Sequence, residues 1–600
     1  MVFLETLQVF HRGNTRIYDS AAVLVIPDGD PDVLRLVRCT PLHRGACVSL
    51  RRPCGWLAVY GVYCDATGRA HPACAWDYGV VYCEDLSGNE EEADIYREGE
   101  TVMREQVEKN VWNIAFWCTL FLILFVFFTQ VHPLVPYDGD DWVNMSSFRV
   151  ALPKWHAWNP VKVLPEISFP IAGYIAAYFV TPIVGDYVRS IVLVSAFYVC
   201  SIVLLYLFLF KKILEKNVGL SEFACALITV LFLIAHFVIL KKTGVNSQYL
   251  LGSANLTCFY HYTVPGILNL CLVEYFMLNE FSLKSFMEKN MITKSIVLLG
   301  IYLAIFSNVL HSIIFIAAVM AYLILEYWKE LLCPNCWKAL IKENYFWLGI
   351  VLVWLVSLVF EMSGGRAHGI GRDLMQLPIK QTMLTFGGAS KSFNSFLLAG
   401  IFILLVLFAY WLHKKRLTSE VVKIVRFQCL QLVVAIGILI IYLVLVCAKA
   451  SPGYIGRGDV LVGPLGLLLI AIFLASSAII KKHTKLVLVL PIALLVFSVE
   501  AMSPKSAYAE STMNRVNPRI CYAIDNDLIN QIVSADKAGK TEMILVVPKG
   551  DDRDNWPHPM YMGGNISRTL YRHGIITQPL KITIKPDTKM NEKYHIAIPK

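Results

Sequence analysis

The sequence predicts an α-helical polytopic membrane protein of about eleven transmembrane helices, ending in a small α/β domain outside the bilayer. Three observations carry this prediction. Hydrophobic residues make up 56% of the 600 residues and aromatics 12%, with a mean hydropathy of +0.55, an excess that does not suit a soluble chain. The apolar residues fall in runs long enough to cross a ~30 Å hydrocarbon core at ~1.5 Å per residue. After Ala501 the pattern changes to amphipathic and strand-like segments. The net charge of +9 sits in short lysine clusters at the ends of apolar runs rather than on one basic face. It therefore reads as a topology signal, and no nucleic-acid partner is expected.

Residues 1–102 form an atypical amino-terminal extension. They contain no lysine but six cysteines, Cys39, Cys47, Cys54, Cys64, Cys74 and Cys83, and no Cys-x-x-Cys pair of the kind that opens a zinc site. Met103, followed by Arg-Glu-Gln-Val-Glu-Lys-Asn and an apolar helix, resembles a normal membrane-protein beginning. The expectation is that translation starts there; a small fused cytosolic segment is the alternative. No apolar core of a cleavable signal peptide occurs in the first thirty or so residues, so the helix from Val111 serves as an uncleaved anchor.

From 103 to 501 the spans are expected near 111–130, 190–210, 219–240, 263–280, 293–307, 311–327, 345–361, 393–413, 427–448, 460–480 and 485–501. The run Lys294–Tyr327 is too long for one helix and is split at Ser307–Ser312. Lysine and arginine clusters at 211–216, 284–294, 329–342, 413–426 and 481–485 all fall on one side, which the positive-inside rule makes cytoplasmic; Lys241 and Lys242 are exceptions. The amino terminus is then inside and the carboxyl terminus outside. The first outer loop, 131–189, contains the proline-bounded apolar segment Glu166–Pro182, which suits an interfacial or re-entrant helix. The tail, 502–600, reads as helix at Ala507–Ala538, strand at Thr541–Pro548, helix at Ile566–His573 and strand at Leu580–Lys585. In the inner loop, Cys333-Pro-Asn-Cys336 offers only half a zinc site and lacks a thioredoxin-like surround, so it carries no assigned role at this level.

The chemistry is expected on the outer face. Pro136-Tyr-Asp138-Gly-Asp140-Asp141-Trp142-Val143 sets three carboxylates where the first span meets water, beside two aromatics suited to the bilayer edge. Other polar outer segments could complete a site. One is Gly252–Asn255 through His261 and Tyr262, a second is His311, and two more pair glycine with arginine, at Arg366 and Arg372 and at Arg457. Arginine outside runs against the positive-inside bias, and its fork grips phosphate oxygens with paired hydrogen bonds. Carboxylates beside phosphate-binding arginines suit transfer of a sugar from a lipid phosphate: the phosphate leaves without protonation, so one carboxylate base for the acceptor hydroxyl is enough.

On these residues, over roughly 103–600, the chain resembles the GT-C integral-membrane glycosyltransferases, in particular bacterial O-antigen-modifying sugar transferases. The carriers are the Asp138-Gly-Asp140-Asp141-Trp142 loop, the interfacial segment behind it, the many spans and the outer tail. The resemblance implies a multi-pass enzyme of the cytoplasmic membrane with a polyprenyl-phosphate sugar donor, a glycan or lipid acceptor, and membrane lipids as its surroundings. It assigns the catalytic base to Asp140 or Asp141, with Asp138 as a third candidate. Arg366, Arg372, Arg457, His311, His261, Tyr262 and Trp142 are the expected substrate-binding residues. No cofactor is expected, although dependence on a divalent metal varies in the superfamily. A transporter or flippase for lipid-linked glycans and an O-antigen polymerase or ligase are the competing readings; neither accounts for the paired aspartates after the first span.

Overall fold

The computed structural model describes residues 107–600 except 149–161, 242–248, 254, 364–375, 414–418, 503–515, 552–553 and 598–600; in the first 106 residues it describes only the backbone of strands and of a helix from Glu90. The chain divides into two compact units, Met1–Trp112 and Asn113–Lys600. In the first, β1 (Val23–Pro27), β2 (Val33–Arg38), β3 (Ala46–Arg51) and β4 (Ala58–Tyr63) form an antiparallel sheet in sequence order, and β5 (Trp76–Asp77) pairs with β6 (Val80–Val81). A helix runs unbroken from Glu90 to Val126, so Met103 lies within a helix.

The second unit is mostly helical. Among the described residues eight helices are long and apolar enough to cross a membrane: Val107–Val131, Val163–Val184, Tyr187–Val218, Leu256–Leu278, Pro334–Glu361, Glu420–Ala450, Val462–Lys482 and Thr484–Ala501. Four further apolar helices, Glu222–Val238, Met291–Ile305, Ile313–Glu326 and Ser395–Trp411, are shorter. This tally of spanning-length helices differs from the eleven expected segments in two ways. The segment expected to be interfacial reaches spanning length, because a π turn at Ala176–Val180 carries the helix on past Ile175. Four of the expected spans have fewer residues than a ~20-residue crossing needs. The split near Ser307–Ser312 is present, between Ile305 and Ile313.

Leu256–Leu278 and Val462–Lys482 are mostly buried and form the centre, whereas Val107–Val131 and Thr484–Ala501 expose most of their apolar surface. Apolar exposure of that kind suits hydrocarbon surroundings. At the centre small residues let backbones approach: a Cβ on Gly466 would lie 2.5 Å from Leu270 Cδ1, the close-packing device of membrane helices. Buried amides also bond across helices. Gln428 Nε2 donates to the Met277 carbonyl at 2.9 Å and Gln431 Nε2 to that of Ala318 at 3.0 Å.

The carboxyl-terminal segment belongs to this same unit. Its elements are the helix Pro518–Lys537, β7 (Glu542–Pro548), the helix Met562–Arg572, β8 (Lys581–Asp587) and the helix Thr588–Tyr594. β7 and β8 are parallel, with Glu542 opposite Lys581 and Pro548 opposite Asp587. A parallel pair needs a crossover, and the helix Met562–Arg572 lies within it. The face of Pro518–Lys537 that carries Cys521, Ile524, Leu528, Ile529 and Ile532 is buried, as its 3.6-residue period requires.

Candidate functional site

The aspartate loop folds into the short helix Gly139–Asn144. Asp138 is its N-cap and accepts from the N–H groups of Asp140 at 2.9 Å and Asp141 at 3.3 Å. Asp141 reaches back to the N–H of Asp138 at 3.4 Å, completing a reciprocal capping box. Asp141 also accepts from the N–H groups of Tyr137 at 2.9 Å, Leu256 at 3.4 Å and Thr257 at 2.6 Å. Asn255 donates its Nδ2 to Asp138 and accepts from the Cys258 N–H at 2.7 Å. Local turn chemistry thus forms the loop, and two carboxylates staple it to the start of the central helix.

This corrects the expectation that all three aspartates stand in water. Asp138 and Asp141 are 1% and 0% exposed. Burial first, then repulsion from Asp141, raises Asp138 well above the carboxylate range, against the Asn255 hydrogen bond that lowers it. Burial likewise raises Asp141, opposed by the N–H of Tyr137 and by Thr257. Asp140 differs: it is only half-buried, and its carboxylate accepts no hydrogen bond among the described residues. Trp142, expected at the bilayer edge, is 0% exposed, because the carboxyl-terminal segment covers it.

That cover was not legible in the loop itself. Thr569 Oγ1 donates to the Trp142 carbonyl and lies 2.6 Å from Ser146 Oγ. Arg572 Nη1 donates to the Ser146 carbonyl and Ser147 Oγ at 3.1 and 2.9 Å. The Gly139 N–H donates to the Pro557 carbonyl at 3.2 Å, and the Tyr561 ring lies beside Gly139. The segment also brings Asp525, fully buried with neither carboxyl oxygen partnered among the described residues. Burial raises its pKa well above the ordinary value, and Asp141 and Asp138 raise it further. His558 sits edge-on to Tyr137, ring centroids 4.9 Å apart, and burial lowers it to about 3. His573 bonds to the Tyr187 hydroxyl at 2.6 Å, and burial lowers it to about 4. Both rings are therefore neutral at pH 7. Asp525 had a sequence signal, a carboxylate on the apolar stripe of its helix; His558, between two prolines in a turn, had none.

A second cluster gathers three of the expected outer segments. Arg457 pairs with Asp459 through two parallel hydrogen bonds, Nε to Oδ1 at 2.9 Å and Nη2 to Oδ2 at 2.6 Å, and lies over the rings of Tyr262 and Tyr454 at 5.0 and 5.5 Å. Asp459 thus takes the Nε side of the guanidinium, so Arg457 stands in an internal ion pair in this structure. His311 is 0% exposed rather than facing the outer compartment; its Nε2 lies 2.7 Å from the Asp459 carbonyl, and its ring is edge-on to Tyr262 at 5.7 Å. Ser253 Oγ donates to Asp459 at 3.1 Å. His261 is half-exposed, edge-on to Phe169. The two clusters meet at Cys258, whose sulfur accepts from Arg457 Nη2 at 3.1 Å while its N–H caps onto Asn255. Arg366 and Arg372 lie outside the described residues.

Among the described residues no group of three His, Cys, Asp or Glu side chains is arranged to hold a metal ion. In comparisons with family models, curated proteins and solved structures, nothing matches the chain.

Proposed function

We propose that the protein is a membrane glycosyltransferase that moves a sugar from a polyprenyl-phosphate donor to a hydroxyl of a glycan or lipid acceptor, with Asp140 as the base. One observation supports this above the others: of the three loop carboxylates, Asp140 alone is half-exposed and accepts no hydrogen bond among the described residues, while Asp138 and Asp141 are consumed in holding the loop. A base must reach the proton it removes. In the proposed step, Asp140 takes the acceptor hydroxyl proton as that oxygen bonds to the anomeric carbon, and the bond to the phosphate oxygen breaks with its electron pair. The phosphate departs as an anion and requires no acid. By the positive-inside rule the site faces outward from a cytoplasmic membrane, in a chain of about eleven crossings.

The rival reading, a transporter of lipid-linked glycans, has one observation in its favour. Glu274 is fully buried in Leu256–Leu278 and its carboxyl oxygens have no partner among the described residues, and ionisable groups within spans mark transport routes. Sugar transfer by purified protein in lipid, from a polyprenyl-phosphate sugar, separates the two. Asp140→Asn should lose ~10²-fold or more in turnover while shifting stability by less than ~0.5 kcal/mol, since its carboxylate accepts no hydrogen bond among the described residues. Near-normal transfer by a correctly inserted variant would remove Asp140 as the base.

A further inference from the structure

Seven of the described cysteines are buried and Cys118 is exposed on an apolar helix; Cys333 and Cys336, both half-exposed, are the two that face each other. They stand where the Trp328–Leu331 helical turn gives way to the helix Trp337–Ser363. Cys333 is extended, at φ −109° and ψ 103°, and Pro334 opens a 3₁₀ turn ending at Cys336. The turn is closed from three directions. Cys333 N–H donates to the Glu330 carbonyl at 3.2 Å, Cys336 N–H to the Cys333 carbonyl at 2.9 Å, and Trp337 Nε1 to the Leu331 carbonyl at 3.0 Å. Held in this way, the Cys336 thiol donates to the Cys333 sulfur across 2.7 Å.

We propose that Cys333 and Cys336 form a reversible dithiol–disulfide pair, oxidised by a small-molecule disulfide through attack by the Cys333 sulfur. The Cys333 thiolate attacks one sulfur of RS–SR, a Cys333–SR bond forms, and RS⁻ leaves and takes a proton. Cys336 then gives its proton to solvent and attacks the Cys333 sulfur, closing the Cys333–Cys336 bond and expelling the second RS⁻. The protein loses two electrons and two protons, and the disulfide becomes two RSH.

Two further features suit this chemistry. The hydrogen bond from Cys336, with help from the N–H groups of Cys336 and Asn335, lowers the Cys333 pKa, and the thiolate is the attacking form. A structural zinc needs four ligands, and no third metal-ligating side chain joins the pair among the described residues. The disulfide would tie the joint at which the helix Trp337–Ser363 begins, and that helix packs on Ile313–Glu326.

The test uses the full-length protein in lipid nanodiscs, equilibrated at several ratios of reduced to oxidised glutathione, acid-quenched and mapped by differential alkylation and mass spectrometry. The expected result is a Cys333–Cys336 disulfide that forms with oxidised glutathione and reopens with reduced. Cys336→Ser should trap glutathione on Cys333, and Cys333→Ser should trap roughly tenfold less on Cys336. Two free thiols in excess oxidised glutathione would overturn the proposal, as would glutathione retained on the wild-type pair or protection of both thiols by added zinc. Equal trapping in the two variants would overturn the role of Cys333 as attacker. The wild-type measurement stands even where a variant fails to insert.

Discussion

Asp525 concentrates the residue-scale lesson. Burial, then repulsion from Asp141 and Asp138, holds its pKa well above the usual carboxylate range, so the folded state binds this proton more tightly than the unfolded chain does. Its stabilising share is therefore whole below the unfolded value of ~4 and is lost as pH rises through the folded value. Asp525→Asn keeps a neutral group of the same shape at every pH. Thermal midpoints of wild type and variant should nearly coincide at pH ~4, and the variant should be the more stable at alkaline pH. Buried His558 and His573 act in the opposite sense, losing stability as pH falls below ~6.5, but they are common to both proteins and cancel in the difference. Curves that stay parallel across the whole range would mean that Asp525 is not held as the acid.

At the scale of elements, the segment Ser168–Ile175 shows how backbone approach sets the site. A Cβ on Gly173 would lie 2.3 Å from the Met145 carbonyl oxygen and 3.0 Å from His573 Cε1, so a single small residue lets this helix, the aspartate loop and the carboxyl-terminal segment meet. Gly173→Ala should cost ~1–3 kcal/mol through overpacking, read as a lower midpoint in detergent, with the proposed transfer activity falling alongside. Gly349→Ala, in a helix with nothing within 4 Å of its Cβ, serves as the control and should be neutral or gain up to ~1 kcal/mol. Equal midpoints for the two variants would show that the Gly173 contact does not constrain the loop. The sequence had marked Glu166–Pro182 as an apolar element bounded by prolines; apolar length is additive along the chain and can be read there. Its partner could not be read, because a glycine carries no pattern that names what approaches it.

For the molecule as a whole, the contacts between residues 139–147 and 557–572 require the aspartate loop and the carboxyl-terminal segment to share one side of the membrane. A reporter active only outside should therefore work when fused after Lys600 and stay dark after Lys338, which the lysine clusters assign to the inner face. Phe148→Cys, at an exposed position, should be labelled by an impermeant thiol reagent from the same side as a tag after Lys600. Labelling from opposite sides would contradict the packing of the two segments, and the reverse reporter pattern would invert the orientation of the site.

The sequence by itself determined that the chain is a multi-pass helical protein, where most of its helices lie, that a two-strand α/β segment closes it, and that the turn at 138–141 is acidic. Those properties follow from local quantities: apolar length, periodicity, and the capping geometry of Asp and Gly. Only the tertiary structure decided which carboxylate stays accessible. Asp138, Asp140 and Asp141 are chemically alike and nearly adjacent, and they are separated in role by donors from Leu256 and Thr257 and by cover from Thr569 and Arg572, more than a hundred and more than four hundred residues away. Arg457 and Asp459, two residues apart, pair within their own turn, but the groups that meet the pair, Ser253, Cys258 and His311, come from distant segments. Burial depends on what the rest of the chain brings to a residue, and that is set by packing between distant segments rather than by any local pattern.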